Sequence, residues 1–241
     1  MNLSSLNFKV ILGAIYLALL SIGLYFLFSV VDIKDLMSYE FIRSNRDIIF
    51  KYKSENFLFL NIIFFIFSVL WILFLGFVFP LLIFSGFVFG KWWGTLIAVV
   101  AVSIGATLLY MLANFFLQDL IKEKLVPKFY KLKKLFDKND IFYYGVFRFI
   151  GGGGTPYAVQ NVLPVLFNMP VKNYFVATLI GSMPSMFVTV ALGSGLESVI
   201  DKNEEPSFFQ VLFSPEVYLP IAGFAIILVI SFFAKRFFFK I

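Results

Sequence analysis

The sequence predicts an all-α integral membrane protein: an inverted repeat of re-entrant hairpin plus transmembrane helix, with about five full spans and two re-entrant segments. Three observations carry that expectation. The first is composition. Of 241 residues, 61% are apolar, 20% aromatic and 14% charged, with a mean hydropathy of +0.93. Soluble domains run at about 45–50% apolar and about 25% charged, so the excess apolar surface must face something other than water. The second is charge placement, which leaves six long uncharged runs. The third is that two of those runs contain helix breakers and cannot cross a bilayer as continuous helices.

The same composition removes several chemistries. With no His and no Cys, a His general base, a Cys nucleophile, a disulfide, a Cys/His zinc site and haem ligation are all excluded. A Ser-His-Asp triad is excluded as well. An intramembrane hydrolase lacks its parts, since no carboxylate lies inside the apolar runs. The chain is therefore expected not to be an enzyme, and to need neither a cofactor nor a metal. The net charge of +6 flanks apolar spans instead of forming a soluble basic face, so nucleic acid is not an expected partner.

The uncharged runs are Val10–Val31, Phe57–Gly90, Trp92–Gln118, Phe149–Val171, Asn173–Leu196 and Val217–Ala234. A spanning helix needs roughly 20 residues. Val10–Val31 is long for a signal peptide and no A-x-A-like site follows, so it reads as a retained anchor. Phe57–Gly90 would make a helix of about 51 Å against a hydrocarbon core of about 30 Å. Pro80 stops it, which gives a span at about 57–78 and a short re-entrant piece that returns to the side it entered from. The next span is about 93–117.

Phe149–Val171 carries Gly151 to Gly154, Pro156, Pro164 and Pro170. Non-helical backbone at membrane depth is tolerated only where protein buries it or a wet cavity meets it. The segment therefore reads as a second hairpin, at about 141–170, with the first at about 79–92. Asn173–Leu196 and Val217–Ala234 read as ordinary spans. In domain terms, 1–56 is an N-terminal anchor and connector, 57–200 the membrane domain, and 201–241 an outer loop with a C-terminal helix.

One internal offset stands out. Pro80 falls on Pro156, Ala101 on Ala177, Ile104 on Ile180 and Gly105 on Gly181, each 76 residues apart. Each half reads as a Pro-led hairpin, a breaker cluster and a span, the order expected of transporter repeats. Seven lysines between 118 and 140, with Lys235, Arg236 and Lys240, place that loop and the C-terminus in the cytoplasm. The acidic 197–216 loop then lies outside. Counting spans back from there puts Met1 outside, against Lys9 and the terminal amine.

The segment Phe142-Tyr143-Tyr144-Gly145-Val146-Phe147-Arg148, the glycines, Thr155-Pro156-Tyr157, Gln160-Asn161 and Gly181-Ser182-Met183-Pro184 form a pattern. Phe79-Pro80, Ser85 to Gly90, Gly94 and Gly105-Ala106 complete it. This resembles the VTT-domain or SNARE-associated Golgi protein family of the DedA superfamily. Within it, the Tvp-type branch is the nearer likeness, and the match covers roughly 57–200. The resemblance implies opposed re-entrant hairpins and a link to lipid scrambling or lipid-carrier flipping. It also marks departures. The DedA branch carries acidic residues near its first hairpin, whereas 57–90 has none, and it has a second hairpin arginine where this chain has Gln160 and Asn161. The four-glycine run replaces a shorter, Pro-containing segment.

Among the candidate residues, Arg148 leads. An intramembrane cation is a functional candidate by default, and a phosphate pairs bidentately with a guanidinium. With Arg148 we group Gly152, Gly153, Thr155, Pro156, Gln160 and Asn161 as a headgroup site, Pro156 being expected in the first turn of a half-helix whose positive end faces the bundle. Two bland alternatives stand beside this: Arg148 snorkelling to the interface, and Gln160 and Asn161 clamping the opposite hairpin. Pro80, Gly86, Gly90, Gly94, Gly105, Pro164, Gly181 and Pro184 are read as structural, the glycines as close-packing positions. Residues 125–138 repeat Leu125, Phe129, Leu132 and Phe136 at helical spacing. Lys128, Lys131 and Lys134 on that stretch are expected at an anionic membrane surface.

The function expected from this set is lipid translocation between leaflets, scramblase- or flippase-like, for phosphate-headgroup lipids or a polyprenyl-phosphate carrier. An ion-coupled transporter of small anions, or a membrane assembly and trafficking factor without transport, are the alternatives. The expected partners are anionic or phosphate-headgroup lipids, with a second copy of the chain as a further candidate. Phe/Ile/Lys/Asn-rich usage points to an AT-rich bacterial genome, hence to the inner (plasma) membrane.

Overall fold

The computed structural model describes residues 39–124, 130–201 and 212–238, together with residue 209 and scattered positions between 11 and 29, which are helical. Most of the expected anchor, the stretch 125–129 and most of the acidic loop lie outside the described residues. Among the described residues all regular structure is helical. We label α1 Tyr39–Glu55, α2 Phe57–Phe74, α3 Phe79–Phe89, α4 Lys91–Lys124, α5 Tyr130–Phe149, α6 Tyr157–Val162, α7 Val171–Asp201 and α8 Pro215–Phe238. Tight 3-10 turns at Gly151–Gly154 and Leu163–Phe167 flank α6. Three helices contain windows long and apolar enough to cross a membrane: Phe57–Phe74, Lys91–Phe116 and Val171–Glu197.

Pro80 lies in the first turn of α3, where its missing N–H costs nothing. At 11 residues, α3 is about 16 Å long, about half a hydrocarbon core. It runs back alongside α2: Phe64 packs on Phe84 and Phe89, and Phe57 meets Phe89 at 6.4 Å. Gly90 then turns the chain with φ of 77°, and α4 begins beside the start of α2, where Trp93 Nε1 donates to Asn61 Oδ1 at 2.7 Å. Helices α2 and α4 are therefore parallel, with α3 antiparallel between them. This corrects the sequence expectation, which had α2 cross first and put Phe57 and Lys91 at opposite ends. The chain reverses between Phe74 and Phe79, and α3 returns along α2 to the end where α2 begins.

The second half repeats the arrangement. Asn139 leaves helical geometry (φ −162°, ψ 87°) and divides α5 in two. Its Oδ1 accepts from the N–H of Phe142 at 3.0 Å, an N-cap for the second part. Residues 140–149 then run parallel to α7, with Asp140 accepting from Asn173 Nδ2 at 3.0 Å. The returning segment, α6 and the turn after it, brings Phe167 onto Phe136 with ring centroids 4.1 Å apart. Phe136 is thereby buried in protein instead of facing lipid, while Lys134 is exposed. Of the other two surface lysines, Lys128 lies outside the described residues and Lys131 is described only as helical backbone.

The glycines 76 residues apart do the same work in each half. A Cβ on Gly105 of α4 would sit 2.7 Å from the Val69 carbonyl and 2.9 Å from the Ile72 Cβ, both on α2. A Cβ on Gly181 of α7 would sit 2.5 Å from the Gly145 carbonyl and 3.0 Å from the Arg148 Cβ, both on α5. Val69 and Gly145 are themselves 76 apart, as are Ile72 and Arg148. The two long helices pack antiparallel, Trp92 against Phe187 and Tyr110 against Tyr174. Antiparallel long helices make the repeat inverted, and each short returning segment packs on the long helix of the other half.

Other expected structural residues divide by role. Gly86 of α3 lets the helix lie directly on the Val190 carbonyl of α7, and Gly94 sits 2.6 Å (as a Cβ) from the Ser85 carbonyl. Gly90 is a correction: nothing approaches it within 4 Å, so its backbone (φ 77°, ψ 170°), not close packing, requires glycine there. Pro164 is buried at the start of its 3-10 turn, and Pro184 lies inside α7. Helix α1 is tied to the far end of α7 by Arg46 Nη2 and Glu197 Oε1 at 3.2 Å.

Candidate functional site

Arg148 is the second-to-last residue of α5, with a residue exposure of 1%. A guanidinium stays charged at any physiological pH, so burial requires that its charge be met by oxygens or π faces. The hairpin supplies them. Arg148 Nη1 donates to Gln160 Oε1 at 3.2 Å, and Nη2 donates to Asn161 Oδ1 and to the Tyr174 hydroxyl, the latter at 2.9 Å. The Tyr174 hydroxyl in turn donates to Asn161 Oδ1 at 3.1 Å. The rings of Tyr157, Tyr144 and Tyr174 lie 4.8, 5.0 and 5.8 Å from the guanidinium carbon. Each contributes about 0.5–2 kcal/mol of cation–π attraction.

No carboxylate takes part: the ion pairs among the described residues do not include Arg148. The cage is also incomplete in hydrogen bonds. Arg148 Nε, Asn161 Nδ2 and the Tyr157 hydroxyl are buried without a partner. All three belong to side chains that touch one another through the guanidinium. The site is thus a fixed positive charge with spare donors, walled by neutral groups.

The glycine run holds the cage from one side. Gly151, Gly152 and Gly154 all have positive φ, 68°, 69° and 82°, a region in which other L-residues are strained. A side chain at Gly152 would collide with Gln160. Gln160 Nε2 donates to the Thr155 and Gly151 carbonyls, at 2.8 and 3.2 Å, while Thr155 Oγ1 donates to the Gly152 carbonyl at 2.7 Å. Tyr144 closes the top by donating to the Gln160 carbonyl at 3.0 Å. Gly153 lies in the same turn.

Three expectations are revised. Arg148 does not snorkel to an interface; its side chain turns inward. Gln160 and Asn161 clamp their own hairpin, through Arg148, and not the opposite one. Pro156 is the N-cap of α6 (φ −54°, ψ 141°), not a first-turn residue. With six residues, α6 is also too short to present a strong dipole.

Sequence reasoning passed over Tyr110, Tyr144, Tyr157 and Tyr174 as site residues. Tyr144 precedes Arg148 by four, so helical spacing puts both on one face. Tyr157 and Tyr174 give no such signal and arrive only by folding. Tyr110 stacks on Tyr174 with centroids 4.4 Å and planes 8° apart, and donates to the Met169 carbonyl at 2.6 Å. It thereby carries the first half's long helix onto the second half's site. Among the described residues no group of His, Cys, Asp or Glu could hold a metal ion.

A family model described as the VTT domain matches residues 77–195, which include α3 to α6, nearly all of α7 and the whole Arg148 cage. The match does not distinguish branches within the family. No solved structure matches the chain.

Proposed function

We propose, for a chain that belongs to the VTT-domain family, the DedA/SNARE-associated family, translocation of phosphate-headgroup lipids between leaflets, with Arg148 as the group that receives the phosphate. One observation carries the reading: a buried guanidinium with no carboxylate partner and an unpartnered Nε. A phosphate satisfies such a group better than any neutral side chain, because charge-assisted pairs are roughly twice as strong as neutral ones. The flank of the same hairpin supports a lipid over a soluble anion. Phe142, Val146, Ile150 and Val159 are exposed there, so acyl tails can stay in the bilayer while the headgroup enters.

In this reading the two helical hairpins enter the membrane from opposite faces and shorten the apolar path between the leaflets. The lysine-rich loop and the C-terminus are cytoplasmic, in a bacterial inner membrane, and transfer is passive. The test is reconstitution with fluorescent phospholipid and with a polyprenyl phosphate, comparing wild type, Arg148→Ala and Arg148→Lys. Loss of transfer in Ala with partial recovery in Lys is the expected result. Transfer by Arg148→Ala at the wild-type rate sinks the reading. Uptake of soluble phosphate instead of lipid makes the protein an anion transporter, and transport of neither makes it an assembly factor.

A further inference from the structure

We infer that Gln160 and Asn161 are occluding ligands: their carboxamide oxygens hold on Arg148 the two places that phosphate oxygens take when substrate is bound. The inference rests on the reading of Arg148 as the phosphate-binding group. It adds what closes that group and what kind of ligand can reopen it.

The geometry points this way in three respects. The two oxygens reach the two separate terminal nitrogens of one guanidinium, the fork that a phosphate or carboxylate otherwise fills. They come from adjacent residues of a six-residue helix, so one movement of α6 withdraws both. That helix is bounded by left-handed turns, at Gly151, Gly152 and Gly154 before it and at Asn168 (φ 56°) after it. These are positions where a small dihedral change swings the segment between them.

The chemistry of the ligands matters as much as their position. A carboxamide is neutral, so its hold on Arg148 is weaker than that of an anion. The closed cage also leaves Arg148 Nε and Asn161 Nδ2 without acceptors, and an anion with three oxygens supplies what two carboxamides cannot. A phosphate therefore displaces the pair, whereas a headgroup without an anion does not. Had either residue been Asp or Glu, the cage would be a buried ion pair, costly to break once made.

The experiment compares wild type, Asn161→Asp, Gln160→Glu, Asn161→Ala and Arg148→Ala, each measured for melting in detergent and for phospholipid transfer in liposomes. Both carboxylate variants are expected to melt above wild type and to transfer at least about tenfold more slowly. Asn161→Ala, which removes one of the two occluding oxygens, is expected to melt lower and to transfer faster than wild type, and slower transfer counts against occlusion. Transfer at the wild-type rate by either carboxylate variant, with Arg148→Ala inactive, overturns the proposal and leaves the reading of Arg148 intact. Melting of both carboxylate variants below wild type also overturns it. Full transfer by Arg148→Ala removes the underlying reading itself.

Discussion

Arg148 occupies in the second half of the fold the place that Ile72 occupies in the first. Each Cβ faces a glycine of the neighbouring long helix, 2.9 Å from a Cβ built on Gly105 and 3.0 Å from one built on Gly181. Both side chains are buried, Ile72 at 0% and Arg148 at 1% exposure. Around Ile72 the repeat carries no charge: Leu81 and Ala98 stand where Tyr157 and Tyr174 stand around Arg148, and Ser68 and Ser85 where Tyr144 and Asn161 stand. One backbone arrangement therefore carries a hydrophobic core position in one half and a charged site in the other.

Removing the cation strands its acceptors. Arg148→Ala leaves Gln160 Oε1 and the Tyr174 hydroxyl oxygen without that donor, Asn161 Oδ1 keeping only the Tyr174 hydroxyl, and is expected to lower stability by about 1–3 kcal/mol. Arg148→Lys, which reaches fewer acceptors, should fall between. Thermal melts in detergent check this order. An Ala variant as stable as wild type would show that the cage contributes nothing to the fold.

The paired glycines should behave alike. Gly105→Ala and Gly181→Ala each drive a methyl group into a facing carbonyl, at 2.7 and 2.5 Å, and each is expected to cost about 1–3 kcal/mol. Gly90→Ala meets no atom and costs only backbone strain (φ 77°, ψ 170°, a region essentially confined to glycine), about 1–3 kcal/mol. Melting curves that tolerate Gly181→Ala but not Gly105→Ala would break the equivalence of the halves.

Because the chain has no cysteine, topology can be read from single-cysteine variants. Cysteines at Lys53 and Lys91 should react with an impermeant maleimide from the same side, and one at Lys134 from the other. The parallel course of α2 and α4 requires the first two to agree. Labelling of 53 and 91 from opposite faces would contradict it.

Proton coupling is not expected. The guanidinium keeps its charge at all working pH values, and no carboxylate lies within 57–90 or among the partners of Arg148. Lipid transfer should proceed at one rate with or without a pH gradient, and a protonophore should leave it unchanged. A rate that collapses with the gradient would require a titrating residue elsewhere.

Much of this was legible in the order of the residues. Hydropathy and charge are local properties, so the membrane class, a break ahead of Pro80 (the helix ends at Phe74, not near 78, and Pro80 opens the next), the break at Gly151–Gly154, the 76-residue offset and the solitary Arg148 could be read directly. Each depends on what a backbone or a side chain can do by itself in a bilayer. The lysine-rich stretch was legible as amphipathic, but Asn139 as the cap dividing it from the next helix was not, because asparagine caps only where the chain already turns.

What tertiary structure alone decided is direction and partnership. The return of α3 beside α2, which sets α4 parallel and corrects the order of crossings, follows from aromatic packing of Phe57 and Phe64 on Phe84 and Phe89, residues 20 to 32 apart in sequence. The closure of Arg148 by Gln160, Asn161 and Tyr174 follows from contacts across 12, 13 and 26 residues. Composition states that a buried cation must be met by something. Which oxygens meet it is settled only when the hairpin folds back, because a hydrogen bond needs its partner within about 3 Å and sequence carries no such distance.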